Sequence, residues 1–170
     1  MKPYSKILQA ISVVAVVSAV AISAMAQEEA ADRLIGTWKI IQTVISDPSG
    51  ERVDDNPPPG MYMFTGRYMS NLIVPEWEPR PAITSDSSDE DILGAYGNFI
   101  ADGGEYWIEG DVIQTHNLVA KVPNAMRSDR KRGEGIRYRF HFDEDDLVIT
   151  MTNKGWARSG SITYRLRRMD

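Results

Sequence analysis

The chain has 170 residues, with 24 Asp and Glu against 19 Lys and Arg, a formal net charge of −5. That acidic balance disfavours non-specific binding to nucleic acid, so no nucleic-acid partner is expected. There is no cysteine, which excludes disulfides, thiol chemistry, Cys-ligated metals and a lipid anchor on cysteine.

Residues 1–26 read as a secretory signal peptide. Lys2 and Lys6 form a basic start, Ile11 to Ile22 is an almost unbroken apolar run, and Ala24-Met25-Ala26 is a small-x-small cleavage pattern. The alternative is an uncleaved membrane anchor. The run is short for a span and no other long apolar run follows, so no stable membrane span is expected after processing. Gln27 is then the first mature residue, and residues 27–170 suffice for one domain with its own core. The expected location is the periplasm or the cell exterior.

Residues 27–32 suggest a flexible lead or a short helical turn. The first strand follows at Leu34 to Val44, with Trp38, Ile40, Gln42 and Val44 on one face and Gln42 as that face's polar exception. Asp47-Pro48-Ser49-Gly50 is a turn, and Asp54 to Gly60, with three prolines, is a loop. Met61 to Phe64 and Arg67 to Val74 form a hairpin-like pair around Thr65-Gly66. Pro75 to Pro81 is irregular and carries Trp77. A short helix is expected near Ser88 to Ala95, with a serine cap and Asp89, Glu90 and Asp91 at its positive end.

From Tyr96 the pattern returns to strands. Tyr96 to Ala101 is expected to end at Asp102-Gly103-Gly104, and Glu105 to Glu109 at Gly110-Asp111. Val112 to Lys121 alternates, with Val112, Gln114, His116, Leu118 and Ala120 opposite Ile113, Thr115, Asn117 and Val119. After a basic segment (Arg127, Arg130, Lys131, Arg132) come three more strands. Tyr138, Phe140 and Phe142 share a face; so do Leu147, Ile149 and Met151, and Ile162, Tyr164 and Leu166. The sum is an all-β chain of about eight to ten short strands with one short helix. Short turns favour an antiparallel up-and-down β-barrel, whose closure removes exposed edges.

Leu34-Ile35-Gly36-Thr37-Trp38-Lys39 and the stretch Pro59 to Ser70 carry a resemblance, as do Tyr96-Gly97-Asn98-Phe99, His116, and Asp146 to Thr150. In this order and spacing, over nearly all of residues 27–170, the chain resembles the bacterial lipocalin-like domain family. The resemblance implies a small closed barrel with an internal pocket. It leaves activity open, because barrels of this shape include carriers of apolar molecules as well as isomerases, cyclases, hydratases and lyases. The chain departs from the pattern at Pro123-Asn124-Ala125-Met126, where many relatives have a tryptophan.

Two functional readings follow. One is a binder of a small apolar or aromatic molecule, with Gln42, Met63, Ser70, Tyr96, Asn98, Gln114, Tyr138 and Tyr164 lining the pocket. Tyrosines bring flat apolar surface and one polar tip, and methionines adapt to irregular shapes. The other is a cofactor-independent isomerase, cyclase or lyase. There His116 moves a proton, Tyr68 assists, and Glu105 orients the imidazole if it faces inward. If Tyr106 and Ile108 face inward instead, Glu105 is a surface charge. A third outcome is a solid-cored interaction module. With only two histidines and no HxH, HExxH or EF-hand spacing, no metal is expected, and no cofactor. Trp77 and Trp156, lacking a barrel position, suggest a homodimer.

Overall fold

The computed structural model describes residues 27–75, 80–126, 135–151 and 160–169. The expected signal peptide, Trp77, the basic segment and Trp156 lie outside the described residues. The chain divides into two units, residues 1–34 and 35–170. In the first, residues 27–34 are helical (α1).

The second unit is a barrel of antiparallel strands. In chain order these are β1 (Gly36–Asp47), β2 (Gly50–Asp54), β3 (Gly60–Phe64), β4 (Tyr68–Ile73), β5 (Ile100–Glu109), β6 (Val112–Ala120), β7 (Arg137–Asp143), β8 (Asp146–Met151) and β9 (Ser161–Arg168). Each strand from β3 to β9 pairs with the next, and β9 pairs back onto β1, so eight strands close and no barrel edge is left bare. β1 is long enough to serve two neighbours along one side. Its first residues pair with β3, and its last, from Thr43 to Asp47, pair with the added strand β2.

Two bulges set which side chains point inward. On β1, Ile40 pairs with Leu166 and Gln42 with Arg165, so Ile41 is an extra residue. Trp38 and Ile40 face the core before it; Thr43, opposite Tyr164, and Ile45, opposite Ile162, do so after it. On β6, Leu118 is the extra residue between Asn117, opposite Gly104, and Val119, opposite Gly103. Gly104 is required there: a Cβ on it would run into the His116 carbonyl of β6. The Asp102-Gly103-Gly104 sequence, expected as a turn, is therefore the middle of a ten-residue strand.

One end of the barrel is packed. Trp38 is 1% exposed, its ring 6.2 Å from Phe142 and under the Arg168 guanidinium at 4.6 Å. Leu147 and Leu166 are fully buried beside it. Burying each such side chain contributes about 1.5–3 kcal/mol before ordering costs. Outside the wall, Asp146 accepts hydrogen bonds from Arg165 Nε at 2.7 Å and Arg167 Nε at 3.0 Å, joining β8 to β9.

Helix α2 (Asp89–Gly97) lies in the β4–β5 connection. Ser88 and Asp91 form a reciprocal capping box at its start, with three acidic residues in the first turn. The last turn has no basic residue of its own. Lys121, just after β6, supplies the cation: its Nζ donates to the carbonyls of Tyr96, Gly97 and Phe99. Arg80 Nε donates to Ala95 O at 2.6 Å, and its guanidinium lies over the Phe99 ring. The helix is thus held at its C-terminal end by two cations.

Candidate functional site

The inner face of β3, β4 and β5 places a polar layer above the packed end. Tyr62 on β3 pairs with Asn71 on β4, which pairs with Asp102 on β5. Tyr62 is fully buried and Asn71 is 3% exposed. Tyr138 meets the Tyr62 ring edge-on at 6.1 Å, and Tyr164 lies 6.1 Å from it on another side. Three phenol rings therefore meet inside the barrel, with a carboxylate and a carboxamide beside them.

Asn71 donates a hydrogen bond to Asp102, and its Oδ1 is a buried atom with no hydrogen-bond partner among the described residues. The buried Tyr62 hydroxyl points its proton at Tyr138, which leaves an oxygen lone pair open. An orphaned buried polar group costs about 1–3 kcal/mol.

The electrostatics follow from burial. Burial pushes the Asp102 carboxyl above its ordinary value, and the Asn71 hydrogen bond partly offsets this. The Tyr62 phenol is pushed well up by burial and by its neighbours Tyr138 and Tyr164. Burial also raises Tyr138 and Tyr164. The phenols are neutral at physiological pH and serve as hydroxyls and π faces, not as bases.

Next to this layer is a cavity of about 350 Å³. Ile40, Thr43, Ile45, Ile73, Ile162 and Tyr164 line it, and Arg52 and Asp54 of β2 stand among its outer residues. Ile73 is the next inward position after Asn71 on β4, and Tyr164 contacts both the cavity and Tyr62. A more open hollow of about 410 Å³ is lined by Lys39, Met61, Leu72, Phe99 and Met169. Met61 and Leu72 alternate away from Tyr62 and Asn71, so that hollow is a groove on the outer wall.

Several expected site residues lie elsewhere. His116 is not in the lumen. It pairs with Glu105, which pairs with Tyr68, on the face opposite buried Thr115 and Asn117. Glu105 there accepts from Arg67 Nε at 3.0 Å, as an outer-wall charge. The inward residues of β5 are Asp102, Gly104, Tyr106 and Ile108, the arrangement that leaves Glu105 on the surface. Tyr68 is 46% exposed, and Ser70 follows it outward while Met69 and Asn71 are buried. Met63 alternates outward between buried Tyr62 and Phe64. Gln42 turns out after the β1 bulge and donates to Asp55 at 2.6 Å. Gln114 is buried, but on the outer-wall face, donating to Glu109.

Tyr96, expected on a strand, is exposed in the last turn of α2, and Asn98 caps that helix. Only Tyr138 and Tyr164, of the eleven residues named, point into the interior. The polar layer itself, Tyr62, Asn71 and Asp102, was not foreseen. One usable signal existed for Tyr62: it is the large aromatic flanked by Met61 and Met63 on a strand whose Gly60 lets it approach β1.

A family model described as "Lipocalin-like domain" matches residues 35–166. Two solved structures are similar. A lipocalin-like protein from Bacteroides uniformis ATCC 8492 is 12% identical, with TM-score 0.42, covering 81% of this chain and 99% of that one. An uncharacterized protein from Bacteroides eggerthii DSM 20697 is 12% identical, with TM-score 0.40, covering 79% and 98%. Among curated protein sequences none matches. The match over residues 35–166, on a closed eight-stranded antiparallel barrel with its Trp38 end packed, makes the chain a member of the lipocalin-like domain family.

Proposed function

We propose that the protein binds a small, largely apolar or aromatic molecule inside the barrel, and that residues 1–26 direct it out of the cytoplasm to do so. The observation that carries the binding reading is a cavity of about 350 Å³ next to a buried polar layer in which Asn71 Oδ1 has no partner among the described residues. A volume of this size suits a compact ligand, and apolar lining with a few fixed polar groups is how such sites gain both affinity and orientation. Apolar burial supplies roughly 25 cal/mol per Å² before ordering costs.

The outer groove is larger but shallower, and its lining has Lys39 as its one charged side chain. An open groove leaves most of a small ligand in water. The cavity walled by Ile40, Ile45, Ile73, Ile162 and Tyr164 and bounded by β2 removes more of it from solvent, so it is the preferred site.

The isomerase, cyclase or lyase reading needed an imidazole in the lumen. His116 pairs with Glu105 on the outer wall, so nothing in the lumen supports that reading through an imidazole.

The test is titration with a fluorescent apolar aromatic such as 1-aminoanthracene, on the wild type and on Thr43→Trp, which fills the cavity. Saturable one-site binding that Thr43→Trp abolishes supports the reading. Binding unchanged by Thr43→Trp contradicts it.

A further inference from the structure

The polar layer of the lumen holds one carboxylate, and among the described residues no cation pairs with it. Asp102 brings two carboxylate oxygens, half-buried on the inner face of β5. Asn71 donates to Asp102 through its amide nitrogen and brings an Oδ1 with no partner among the described residues. Tyr62 points its proton at Tyr138 and brings an open oxygen lone pair. Among the described residues no Lys, Arg or His forms an ion pair with Asp102. Facing it on the neighbouring strands are Asn71 and Ala120, neither of them a cation. Tyr62 and Tyr138 both feel its charge from across the interior.

A carboxylate head would meet Asp102 as a like charge, and a neutral apolar head would leave both Asp102 and Asn71 Oδ1 without a new partner. A primary ammonium has three N–H donors and no acceptor. It could be met by the Asp102 carboxylate, Asn71 Oδ1 and the Tyr62 hydroxyl, one donor to each. Tyr62, Tyr138 and Tyr164 add π faces, which attract a desolvated cation.

Building on the lumen as a ligand site, we propose that it selects molecules with an apolar body and a basic amine head, and that Asp102 and Asn71 are the specificity-determining residues. The apolar body occupies the cavity of Ile40, Ile45, Ile73 and Ile162, and the amine points toward Asp102 on the side of Tyr164, the residue that both lines the cavity and meets Tyr62.

Isothermal titration with tryptamine, 3-methylindole and indole-3-propionate varies the head on one ring. Octylamine, octanol and octanoate repeat the series on an alkyl body. The amine should bind at least tenfold more tightly than its neutral and acidic partners in both series, about 1.4 kcal/mol. That preference should collapse in Asp102→Asn and weaken in Asn71→Leu. If Asp102→Asn fails to fold, the wild-type ranking and Asn71→Leu still decide. Neutral or acidic heads binding as tightly as amines would overturn the proposal and leave the barrel a binder. No binding by any of the six, with none of 1-aminoanthracene either, would overturn both.

Discussion

The two levels of the barrel interior are built on opposite rules. At the Trp38 end, apolar groups meet one another and Arg168 lies over the indole, so large side chains are fully covered. In the layer of Tyr62, Asn71 and Asp102, polar groups are buried beside a cavity, one of them, Asn71 Oδ1, without a partner among the described residues. The first arrangement maximises stability. The second gives some up, as sites that await a ligand do. The packing that stabilises the barrel and the binding proposed for it therefore fall to different residues of the same strands.

The contrast can be broken most forcefully at the packed end. Trp38→Ala should lose about 3–5 kcal/mol in urea unfolding, because it removes the largest core side chain and leaves a cavity. Gly104→Ala comes next. Its new Cβ collides with the β6 backbone, and the cost should be about 1–3 kcal/mol by the same measurement.

The outer wall gives a pH-dependent effect. Hydrogen bonds from Arg167 and then Arg165 hold the Asp146 carboxyl below its usual value of 3.8. A depressed folded value means the stabilisation is present above 3.8 and is lost as pH falls through the lower folded value. Asp146→Asn should cost about 1 kcal/mol at neutral pH, discounted for the solvent around the two guanidinium groups. Stability curves of the two proteins against pH should converge at the acid end.

In the polar layer, Tyr62→Phe keeps the ring and removes the hydroxyl that points at Tyr138, so it should cost no more than about 1 kcal/mol while weakening binding of a hydrogen-bonding ligand. A gain in stability would show that the hydroxyl has no partner within the protein. The smallest effect is expected on the outer wall: His116→Ala should change unfolding free energy by less than about 0.5 kcal/mol and leave ligand titrations unaltered.

Strands whose inner face is apolar were legible in the sequence. Trp38, the Tyr138-Phe140-Phe142 set, the Leu147-Ile149 pair and the Ile162-Tyr164-Leu166 set all face inward, because charged or polar neighbours alternate with them. β4 and β6 misled because the lumen they line is polar. Asn71, Thr115 and Asn117 are buried, while Tyr68, Leu72 and Val119 are exposed. On such strands hydropathy does not tell inside from outside, and a one-residue error in phase moves every side chain to the other face. The bulges at Ile41 and Leu118 add a second phase change that alternation alone does not register. The site was missed for the reason it is a site: its residues are polar where a core position is expected to be apolar.

The most direct measurement is a carbon-13 methyl NMR titration with 3-methylindole, because the lumen and the outer groove carry different methyl groups. The lumen site predicts saturable shifts at Ile45 and Ile162, with Met61, Leu72 and Met169 unmoved. Shifts confined to Met61, Leu72 and Met169 would place the ligand on the outer wall and contradict the account.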